Sequence, residues 1–511
     1  MRRPSAILLC ALFTAVMFPA LAQNPYLPLW EHIPDGEPHV FEDPDRPGCY
    51  RVYVYGSHDN LITEYCGRDQ VVWSAPVDDL TAWRLDGVIF EHEGNVLYAP
   101  DVCEVKDPVT GKKTYYLYPN NQNNMGMIAR SDRPDGPFRP CNLKEGRPWE
   151  TYGVTGFDPA VLVDDDGRVY AYWGFGHSFA AEMDPATMCT VKPGTEIVDG
   201  MVSGHQEPGI FRFFEASSIR KIGDKYVFIY SRVTEDGEFG LGSTNGTLAY
   251  AYGDHPLGPF TYGGTIIDAR ARETDEAGNP VFTTIPNGNT HGSLAEIGGK
   301  WYVFYHRHTG TDEYSRQAMV APVSVSYEEG PGGRVSISEG EYTSEGFRTE
   351  GLDPLTRWSA GIACWTTGPE PARQEWPKVY YPGSHVAVQR EVGLDHNPVI
   401  NNTDGSIVGY RYFNFDAVDG PATLCLEIVP EGVDGSIEIM ADSPWESRGG
   451  MKLGGVAVSA ASPKQLTTLK VPVPAVAGLS GKHALYLVFN ADKPAASLCE
   501  LHYLQFMPGI R

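Results

Sequence analysis

Five short polar motifs recur along the chain and carry the side chains best suited to acid–base chemistry. They are Gly36-Glu37-Pro38, Ala99-Pro100-Asp101, Phe157-Asp158-Pro159, Phe214-Glu215-Ala216 and Thr290-His291-Gly292. A protonated carboxyl group can donate a proton to a departing oxygen, while an ionised one can activate a water molecule. Glu37, Asp158 and Glu215 are therefore candidate catalytic groups, provided that the fold brings them together.

Each motif has a nearby aromatic run that predicts a β-strand, because aromatic and β-branched residues suit a pleated, half-buried surface. The runs begin at Tyr50, Thr114, Arg168, Lys225 and Lys300. From residue 37 through 101, 158, 215 and 291 the steps are 64, 57, 57 and 76 residues. That spacing suits four-stranded propeller blades, whose innermost strands would bring the motifs to one end of a central channel. Any one motif alone would indicate only a turn.

The composition changes after the fifth motif. Residues 328 to about 350 are rich in Gly, Ser and Glu, a composition that interrupts a strand pattern. Alternating runs then resume, for example from Ser436 to Met440 and from His483 to Phe489, and they indicate a sandwich. We predict an all-β chain with a five-bladed β-propeller over residues 23–347 and a jelly-roll-like β-sandwich over 348–511.

The N-terminus has the layout of a cleaved secretory signal. Arg2 and Arg3 precede an apolar run that ends in Ala20-Leu21-Ala22, so we expect residues 1–22 to be removed. No later stretch reaches the roughly 18 apolar residues of a membrane span. We therefore predict a periplasmic or secreted protein without membrane insertion.

The charge balance and the cysteines exclude several classes of function. There are 65 acidic and 40 basic residues and no basic stripe, which disfavours nucleic acid as a partner. Neutral oligo- or polysaccharides remain as natural ligands. Of the nine cysteines, the eight beyond Cys10 are irregularly spaced and form no Cys-x-x-Cys pair, so neither a zinc site nor a disulfide framework is indicated.

Hydrolysis of a glycosidic bond needs two carboxyl groups, one that protonates the leaving oxygen and one that activates water or attacks the sugar. Asp158 and Glu215 have apolar or aromatic neighbours in the sequence. Partial desolvation and a nearby like charge would raise the pKa of a carboxyl group in such a place. One of the two can then stay protonated and act as an acid.

Taken together, the motifs resemble glycoside hydrolase family 43 over about residues 24 to 347. The matching segments are Ala99-Pro100-Asp101, Phe157-Asp158-Pro159 with Asp164-Asp165-Asp166-Gly167, Phe214-Glu215-Ala216-Ser217 and His291-Gly292-Ser293. The resemblance implies a five-bladed propeller and an inverting mechanism, with no cofactor required.

Position by position, the resemblance implies that Glu215 is the general acid and that Asp158 tunes its pKa and orients it. Glu37 then falls at the general base. The family usually has Asp in this blade-one turn, so Glu37 departs from its pattern. Asp35 and Asp43 are alternatives for the base, although Asp43 begins Asp43-Pro44-Asp45-Arg46-Pro47-Gly48, which predicts a hairpin turn.

Further candidates are assigned to substrate binding. They are Tyr98, Asp101, Phe157, His291 and Arg316. The two aromatic residues could stack on a sugar ring. By resemblance His291 could hold water or a structural calcium ion, or it could be hydrogen-bonded within the core, while Arg316 could face the sugar or pair with an axial carboxylate. The Asp164 to Gly167 run lacks the spaced ligands of a calcium-binding EF-hand loop and predicts a hairpin turn.

The C-terminal segment resembles a family 6 carbohydrate-binding module over about residues 375 to 507. The matching runs are Gly409 to Phe415 and Gly481 to Phe489. Possible sugar-stacking residues are Trp365, Trp376, Tyr380 and Trp445. The alternative is a module that only supports the propeller.

These features predict an exo-acting, inverting glycosidase for side chains of plant-type polysaccharides, of the α-L-arabinofuranosidase or β-xylosidase type. Two alternatives remain open from the sequence. One is an exo-β-galactosidase acting on galactan, since some relatives of that kind also lack the usual blade-one Asp. The other is a propeller that binds carbohydrate without hydrolysing it.

Overall fold

The computed structural model describes residues 23–509 except 62, 93, 286–287 and 369–382. The predicted signal peptide, residues 1–22, lies outside the described residues, as do Trp376 and Tyr380. Within the described part of the chain, no helix is both long and apolar enough to cross a membrane.

Five antiparallel sheets follow one another along the first part of the chain, and we number them as blades one to five. Blade one contains β1 (Glu37–Glu42), β2 (Tyr50–Tyr55), β3 (Asp69–Pro76) and β4 (Arg84–Glu91). Blade two contains β5 (Asp101–Lys106), β6 (Lys113–Tyr118), β7 (Ala129–Ser131) and β8 (Arg139–Pro140), and a hairpin of β9 (Leu143–Lys144) and β10 (Arg147–Thr151) follows it.

The remaining three blades repeat this order. Blade three contains β11 (Ala160–Val163), β12 (Val169–Gly174), β13 (Ser178–Met183) and β14 (Val198–Asp199). Blade four contains β15 (Phe213–Ile222), β16 (Lys225–Arg232), β17 (Thr247–Gly253) and β18 (Thr261–Asp268). Blade five contains β19 (Ser293–Ile297), β20 (Lys300–His308) and β21 (Arg316–Val323).

The first strands of the five blades form a closed ring. β1 contacts β5, β5 contacts β11, β11 contacts β15, β15 contacts β19, and β19 contacts β1 again. This cyclic order is that of a five-bladed β-propeller and confirms the predicted fold class. Every motif lies at or near the start of one of these inner strands, and each predicted aromatic run falls in the second strand of its blade.

The aromatic strands hold the ring together because successive side chains point to opposite faces of a blade. In β2, Val52 and Val54 pack with blade-five residues such as Phe304. Tyr53 and Tyr55 on the other face pack with blade-two residues such as Leu117. One strand thus joins two neighbouring blades.

The N-terminal segment completes blade five. The amide of Asn24 donates to the backbone oxygens of Val320 and Thr343, both at 2.9 Å. The backbone N–H of Tyr26 donates to Ala318 O at 3.2 Å. Residues from the two ends of the propeller sequence therefore meet along β21.

A hairpin of β22 (Val325–Tyr327) and β23 (Val335–Ile337) leads to two further sheets that form the sandwich. One sheet has the order β26-β27-β34-β29-β32 with β24 beside β34, and the other has the order β25-β28-β33-β30-β31. The strands are β24 (Trp358–Ser359), β25 (Trp365–Thr366), β26 (His385–Val386), β27 (Val399–Ile400), β28 (Ile407–Asn414), β29 (Ala422–Pro430), β30 (Gly435–Ala441), β31 (Met451–Val458), β32 (Thr467–Val473), β33 (Lys482–Ala491) and β34 (Cys499–Pro508).

The helices of the described residues are five short 3-10 turns. They span Glu238–Gly240, Ala360–Ile362, Phe415–Ala417, Glu446–Arg448 and Pro474–Gly478. The eight cysteines within the described ranges are all free, in line with the absence of a disulfide pattern in the sequence.

The second sheet of the sandwich is covered on both faces. Leu485 and Leu487 of β33 belong to the core between the two sheets. Ala484 and Tyr486 of the same strand, together with Trp365, belong to a cluster that also contains propeller residues such as Tyr305 and Val335. The sandwich is therefore attached to the propeller through a continuous apolar interface.

Candidate functional site

Asp35 lies just before β1 with a backbone φ of 60°, in the left-handed region that few residues other than glycine adopt. Its Oδ1 is 2.9 Å from Nη1 of Arg316, and its Oδ2 accepts a hydrogen bond of 2.5 Å from Ser57 Oγ. Burial by itself would raise the pKa of Asp35, but the charges of Arg316, His306 and His291 and the hydrogen bond from Ser57 together outweigh burial and hold the pKa below the usual value. Asp35 is thus kept as a buried carboxylate.

Arg316, the first residue of β21, is itself fixed by a second carboxylate. Its Nε and Nη2 each lie 2.9 Å from an oxygen of Asp59, in a bidentate pair. Both side chains are at most 1% exposed. The bidentate geometry leaves Nη1 directed at Asp35. Of the two predicted alternatives for Arg316, the structure shows the pairing with carboxylates.

Glu215 lies in β15 at an irregularity in its pairing with β16. Burial and the nearby charge of Asp158 raise its pKa well above the usual value of a glutamic acid. Both effects favour the protonated form of this carboxyl group. The pKa of Asp35 is shifted in the opposite direction.

Asn289 joins the two carboxyl groups. Its Nδ2 lies 3.4 Å from Glu215 Oε1, and its Oδ1 accepts a hydrogen bond of 2.5 Å from Arg316 Nη1. Because the same Nη1 also donates to Asp35, the polar side chains run continuously from Glu215 to Asp35.

Asp158 is held next to Glu215 by three groups. Its Oδ1 accepts from Asn120 Nδ2 at 2.9 Å and its Oδ2 from the backbone N–H of Ala216 at 3.0 Å. His291 Nδ1 lies 3.5 Å from Oδ2. Burial lowers the pKa of His291, but the hydrogen bond and charge of Asp158, together with the charges of Asp35 and Glu37, outweigh burial and raise the pKa to about 9. A charged His291 therefore offsets part of the negative charge on Asp158.

The structure places Glu37 outside this cluster, although Asp35 is only two residues away. Glu37 is the first residue of β1, and its Oε2 lies 3.1 Å from Nη2 of Arg220. Its Oε1 accepts a hydrogen bond of 2.6 Å from Ser218 Oγ. These partners belong to β15, so Glu37 links blades one and four as a buried ion pair.

Asp101 also has structural partners. Its Oδ1 lies 2.7 Å from His39 Nε2, and its Oδ2 accepts from the backbone N–H of Val161 at 2.7 Å. The fully buried carboxylate thus joins β1, β5 and the start of β11. These contacts are all with strands of the propeller scaffold.

The two predicted aromatic pocket residues do meet. The rings of Tyr98 and Phe157 are 5.4 Å apart, and both side chains are partly exposed. Phe175, which is 60% exposed, lies 5.5 Å from Phe157 and 5.0 Å from Phe214. Since Phe214 precedes Glu215, this aromatic wall lies beside the candidate acid.

The described residues contain no group of three or more His, Cys, Asp or Glu side chains arranged to hold a metal ion. The run Asp164 to Gly167 forms the turn between β11 and β12, as predicted. Asp164 in this turn accepts hydrogen bonds of 2.5 Å from Lys221 and Tyr226, so its oxygens serve the contact between blades three and four. Asp43 likewise lies in the β1–β2 turn, as predicted, and accepts from the backbone N–H of Asp45 and from Arg46.

Sequence reasoning missed Asp59, Asn120 and Asn289. Asp59 follows β2 within Tyr55-Gly56-Ser57-His58-Asp59, and Asn289 stands two residues before His291. A polar cluster directly after an aromatic strand is a signal that could have found Asp59. Asn120 and Asn289 adopt φ values of 47° and 51°, but neither carries a motif of its own.

The propeller and its site define a class of enzyme. Two buried carboxyl groups with oppositely shifted pKa values, Asp35 and Glu215, are linked through Arg316 and Asn289, and aromatic side chains lie beside Glu215. This arrangement matches the acid–base pair of glycosidases.

Comparison with known proteins identifies the family. The family model described as "Glycosyl hydrolases family 43" matches residues 50–330. The "Xylosidase/arabinosidase" of Thermoclostridium stercorarium is 31% identical, over 93% of this chain and 97% of that protein. This chain belongs to glycosyl hydrolases family 43 and is a glycosidase.

Two further similarities extend over most of the chain. The "Arabinoxylan arabinofuranohydrolase" of Paenibacillus polymyxa is 28% identical, over 90% of this chain and 71% of that protein. A solved structure of a family 43 arabinoxylan arabinofuranohydrolase from Bacillus subtilis, in complex with cellotetraose, aligns with a TM-score of 0.45 and 21% identity. The alignment covers 95% of this chain and 97% of that chain.

Proposed function

We propose that this glycosidase releases α-L-arabinofuranosyl or β-xylosyl units from the ends or side chains of plant-type polysaccharides, with inversion at the anomeric carbon. Glu215 is the general acid and Asp35 is the general base. The observation that carries the proposal is that these two buried groups lie in opposite electrostatic environments, which lower the pKa of Asp35 and raise the pKa of Glu215. The names of the relatives, which include xylosidase/arabinosidase and arabinoxylan arabinofuranohydrolase, support the substrate class.

In the proposed reaction, Asp35 accepts a proton from a water molecule whose oxygen attacks the anomeric carbon. Glu215 donates its proton to the glycosidic oxygen as the bond between that oxygen and the anomeric carbon breaks. Direct attack by water requires the two carboxyl groups to be about 6.5–9.5 Å apart and gives the inverted product. Arg316 keeps Asp35 ionised, and Asp158 keeps Glu215 protonated until the sugar binds.

The assignment of the base moves from Glu37 to Asp35 for a physical reason. Glu37 is paired with Arg220 and hydrogen-bonded to Ser218 of β15, whereas Asp35 is linked to Glu215 through Arg316 and Asn289. Asp35 supplies the aspartate expected in the blade-one turn. The apparent lack of that aspartate was the reason to consider galactan, and it no longer favours a galactosidase.

We propose that the sandwich supports the propeller through the face that carries Trp365. That side chain is completely buried, and its ring lies 6.3 Å from the ring of Trp445. Trp365 therefore offers no free face of the kind that stacks on sugar in a carbohydrate-binding module. The secretory layout of residues 1–22 supports a periplasmic or secreted location, where polysaccharide fragments are encountered.

A chromogenic screen followed by NMR tests the proposal. The purified enzyme is assayed with aryl α-L-arabinofuranosides, β-xylosides, β-galactosides and fucosides. We expect turnover of the first two classes. Proton NMR of the first product from the preferred substrate should show the inverted anomer. Turnover confined to galactosides or fucosides would refute the substrate assignment, and initial appearance of the retained anomer would refute the mechanism.

A further inference from the structure

A segment of the sandwich reaches across to the pocket side of blade five. We call residues 383–397 the sandwich arm and residues 309–315, between β20 and β21, the rim loop. The backbone N–H of Gly310 in the rim loop donates to Val386 O in the arm at 2.7 Å. Asp395 at the far end of the arm accepts from the backbone N–H of Leu29 at 2.5 Å. The arm is therefore attached to the propeller at both ends.

Between these two points, Arg390 of the arm bridges the residues that hold Arg316. Its Nη1 donates to the backbone oxygen of Asp59. Its Nη2 donates to Tyr314 O at 3.1 Å and to Ser315 Oγ at 3.0 Å. One guanidinium group thus contacts Asp59 and the two residues immediately before Arg316.

We propose that Arg390 is a positioning residue for catalysis, through which the sandwich fixes Arg316 and hence Asp35 in the propeller pocket. The proposal rests on the assignment of Asp35 as the base. Arg390 touches neither carboxyl group of the proposed acid–base pair. It acts by holding Asp59 and the rim loop in the positions at which Arg316 Nη1 can donate to Asp35.

The rim loop also contacts Tyr65, which lies beside Arg316. Tyr65 donates from its hydroxyl group to Glu313, and its ring lies 5.0 Å from the Tyr314 ring. The Tyr65 ring in turn lies 5.3 Å from the Arg316 guanidinium. A shift of the loop would therefore move Arg316 as well as the pocket rim.

Other interdomain contacts provide a matched control. Arg448 of the sandwich donates to Thr274 Oγ1 at 2.6 Å, which also joins the two domains but involves neither the rim loop nor Asp59. Replacement of Arg390 and of Arg448 by Ala removes the same side chain from the same interface. Only Arg390→Ala removes donors from Asp59 and the rim loop.

The kinetic test compares Arg390→Ala, Arg390→Lys and Arg448→Ala with the unmodified enzyme on its preferred aryl glycoside. We expect Arg390→Ala to lower kcat by about tenfold to a hundredfold with little change in KM, because small displacements of reacting groups have effects of this size. Methylguanidinium at millimolar concentration should restore part of the loss. Arg390→Lys, which cannot reach all three acceptors at once, should be intermediate, and Arg448→Ala should behave like the unmodified enzyme.

The pH profile separates positioning from general destabilisation. If Arg316 is held less firmly against Asp35, the acidic limb of kcat/KM should move to higher pH in Arg390→Ala. The charged groups that interact with Arg390 are Asp59, Asp312 and Glu31, and its charge also acts on His32. None of these is the proposed acid or base. A lower melting temperature with unchanged kcat and unchanged pH limbs would overturn the proposal.

Amide hydrogen exchange gives a readout that does not depend on the substrate. We expect faster exchange in the rim loop and around Asp59 in Arg390→Ala, and unchanged exchange there in Arg448→Ala. Unchanged exchange in both variants would overturn the positioning role. If the unmodified enzyme hydrolyses none of the expected glycosides, the proposed function fails, while the exchange experiment still decides whether Arg390 fixes the site.

Discussion

Arg316 Nη1 lies 2.9 Å from Asp35 Oδ1 across the joint between blades five and one. Asp35 precedes the first strand of the ring, and Arg316 begins the last strand of the last blade. Closure of the ring therefore brings a guanidinium group from about 280 residues further along the chain to the proposed base, where its charge helps to lower the pKa of Asp35. The ion pair that favours the ionised form of the proposed base also joins the two ends of the propeller.

Glu215→Gln should abolish hydrolysis of natural substrates without unfolding the protein, because an amide cannot donate the required proton. A general acid contributes about 10²–10⁴-fold to the rate. The loss should be smallest for aryl glycosides with very acidic phenols, which need little protonation. Comparison of kcat for good and poor leaving groups checks this. Near-normal activity on a poor leaving group would exclude Glu215 as the acid.

Asp35→Ala and Glu37→Ala should have different effects. Asp35→Ala should lose about 10²–10⁴-fold in kcat, and added azide should recover part of it by attacking from the vacated side. Glu37→Ala should mainly lose stability, by about 3 kcal/mol or more, since it leaves Arg220 as an uncompensated buried charge. Kinetics with and without azide, together with thermal unfolding, distinguish them. The reverse result, an inactive Glu37→Ala with an active Asp35→Ala, would return the role of the base to Glu37.

The pH profile of kcat/KM should be bell-shaped. Activity requires an ionised Asp35, whose pKa is lowered, so it should be lost only at low pH, as that carboxylate gains its proton. Activity also requires a protonated Glu215, whose pKa is raised, so it should be lost on the alkaline side as that proton dissociates. Asp158→Asn removes a like charge from Glu215 and should move the alkaline limb to lower pH. An alkaline limb that stays in place would show that Asp158 does not set the pKa of Glu215.

Trp365→Ala should destabilise the protein by about 3–5 kcal/mol, the usual cost of removing a large buried aromatic side chain. The effect should appear as a lower melting temperature, because the lost contacts join the sandwich to the propeller. Trp445→Ala, at a partly exposed position beside it, should cost less. A loss of xylan or arabinoxylan binding without loss of stability would instead indicate that Trp365 contacts sugar.

The fold could be predicted from the sequence because its signals are local. Each aromatic run forms a strand whose alternate residues pack against neighbouring blades, and the spacing of the motifs gives the length of the blade repeat. Asp158 and Glu215 were found for the same reason, since both stand near the start of an inner strand. The pKa of Glu215 is raised by burial and by a nearby like charge, which are the direction and the causes that the sequence predicts.

The register of blade one was harder to predict. Asp35 and Glu37 are separated by one glycine, and in a regular strand both side chains would lie on the same face. Asp35 lies outside the strand with a positive φ, whereas Glu37 is already paired with Tyr55. A backbone change of this kind directs the two carboxylates to different partners. The partners of Arg316 and Arg390 come from distant parts of the chain, so no local sequence pattern predicts these contacts.

The attachment of Asn24 to β21 also has a consequence for how the chain is made. Blade five cannot be completed until residues near 320 have been synthesised, although Asn24 is among the first residues of the described chain. Until then, the apolar faces of blades one and four that blade five will cover remain open. Unfinished chains with exposed apolar surface and unpaired strand edges are prone to aggregate. A protein released before the fifth blade would therefore be a substrate for chaperones and proteases rather than a smaller enzyme.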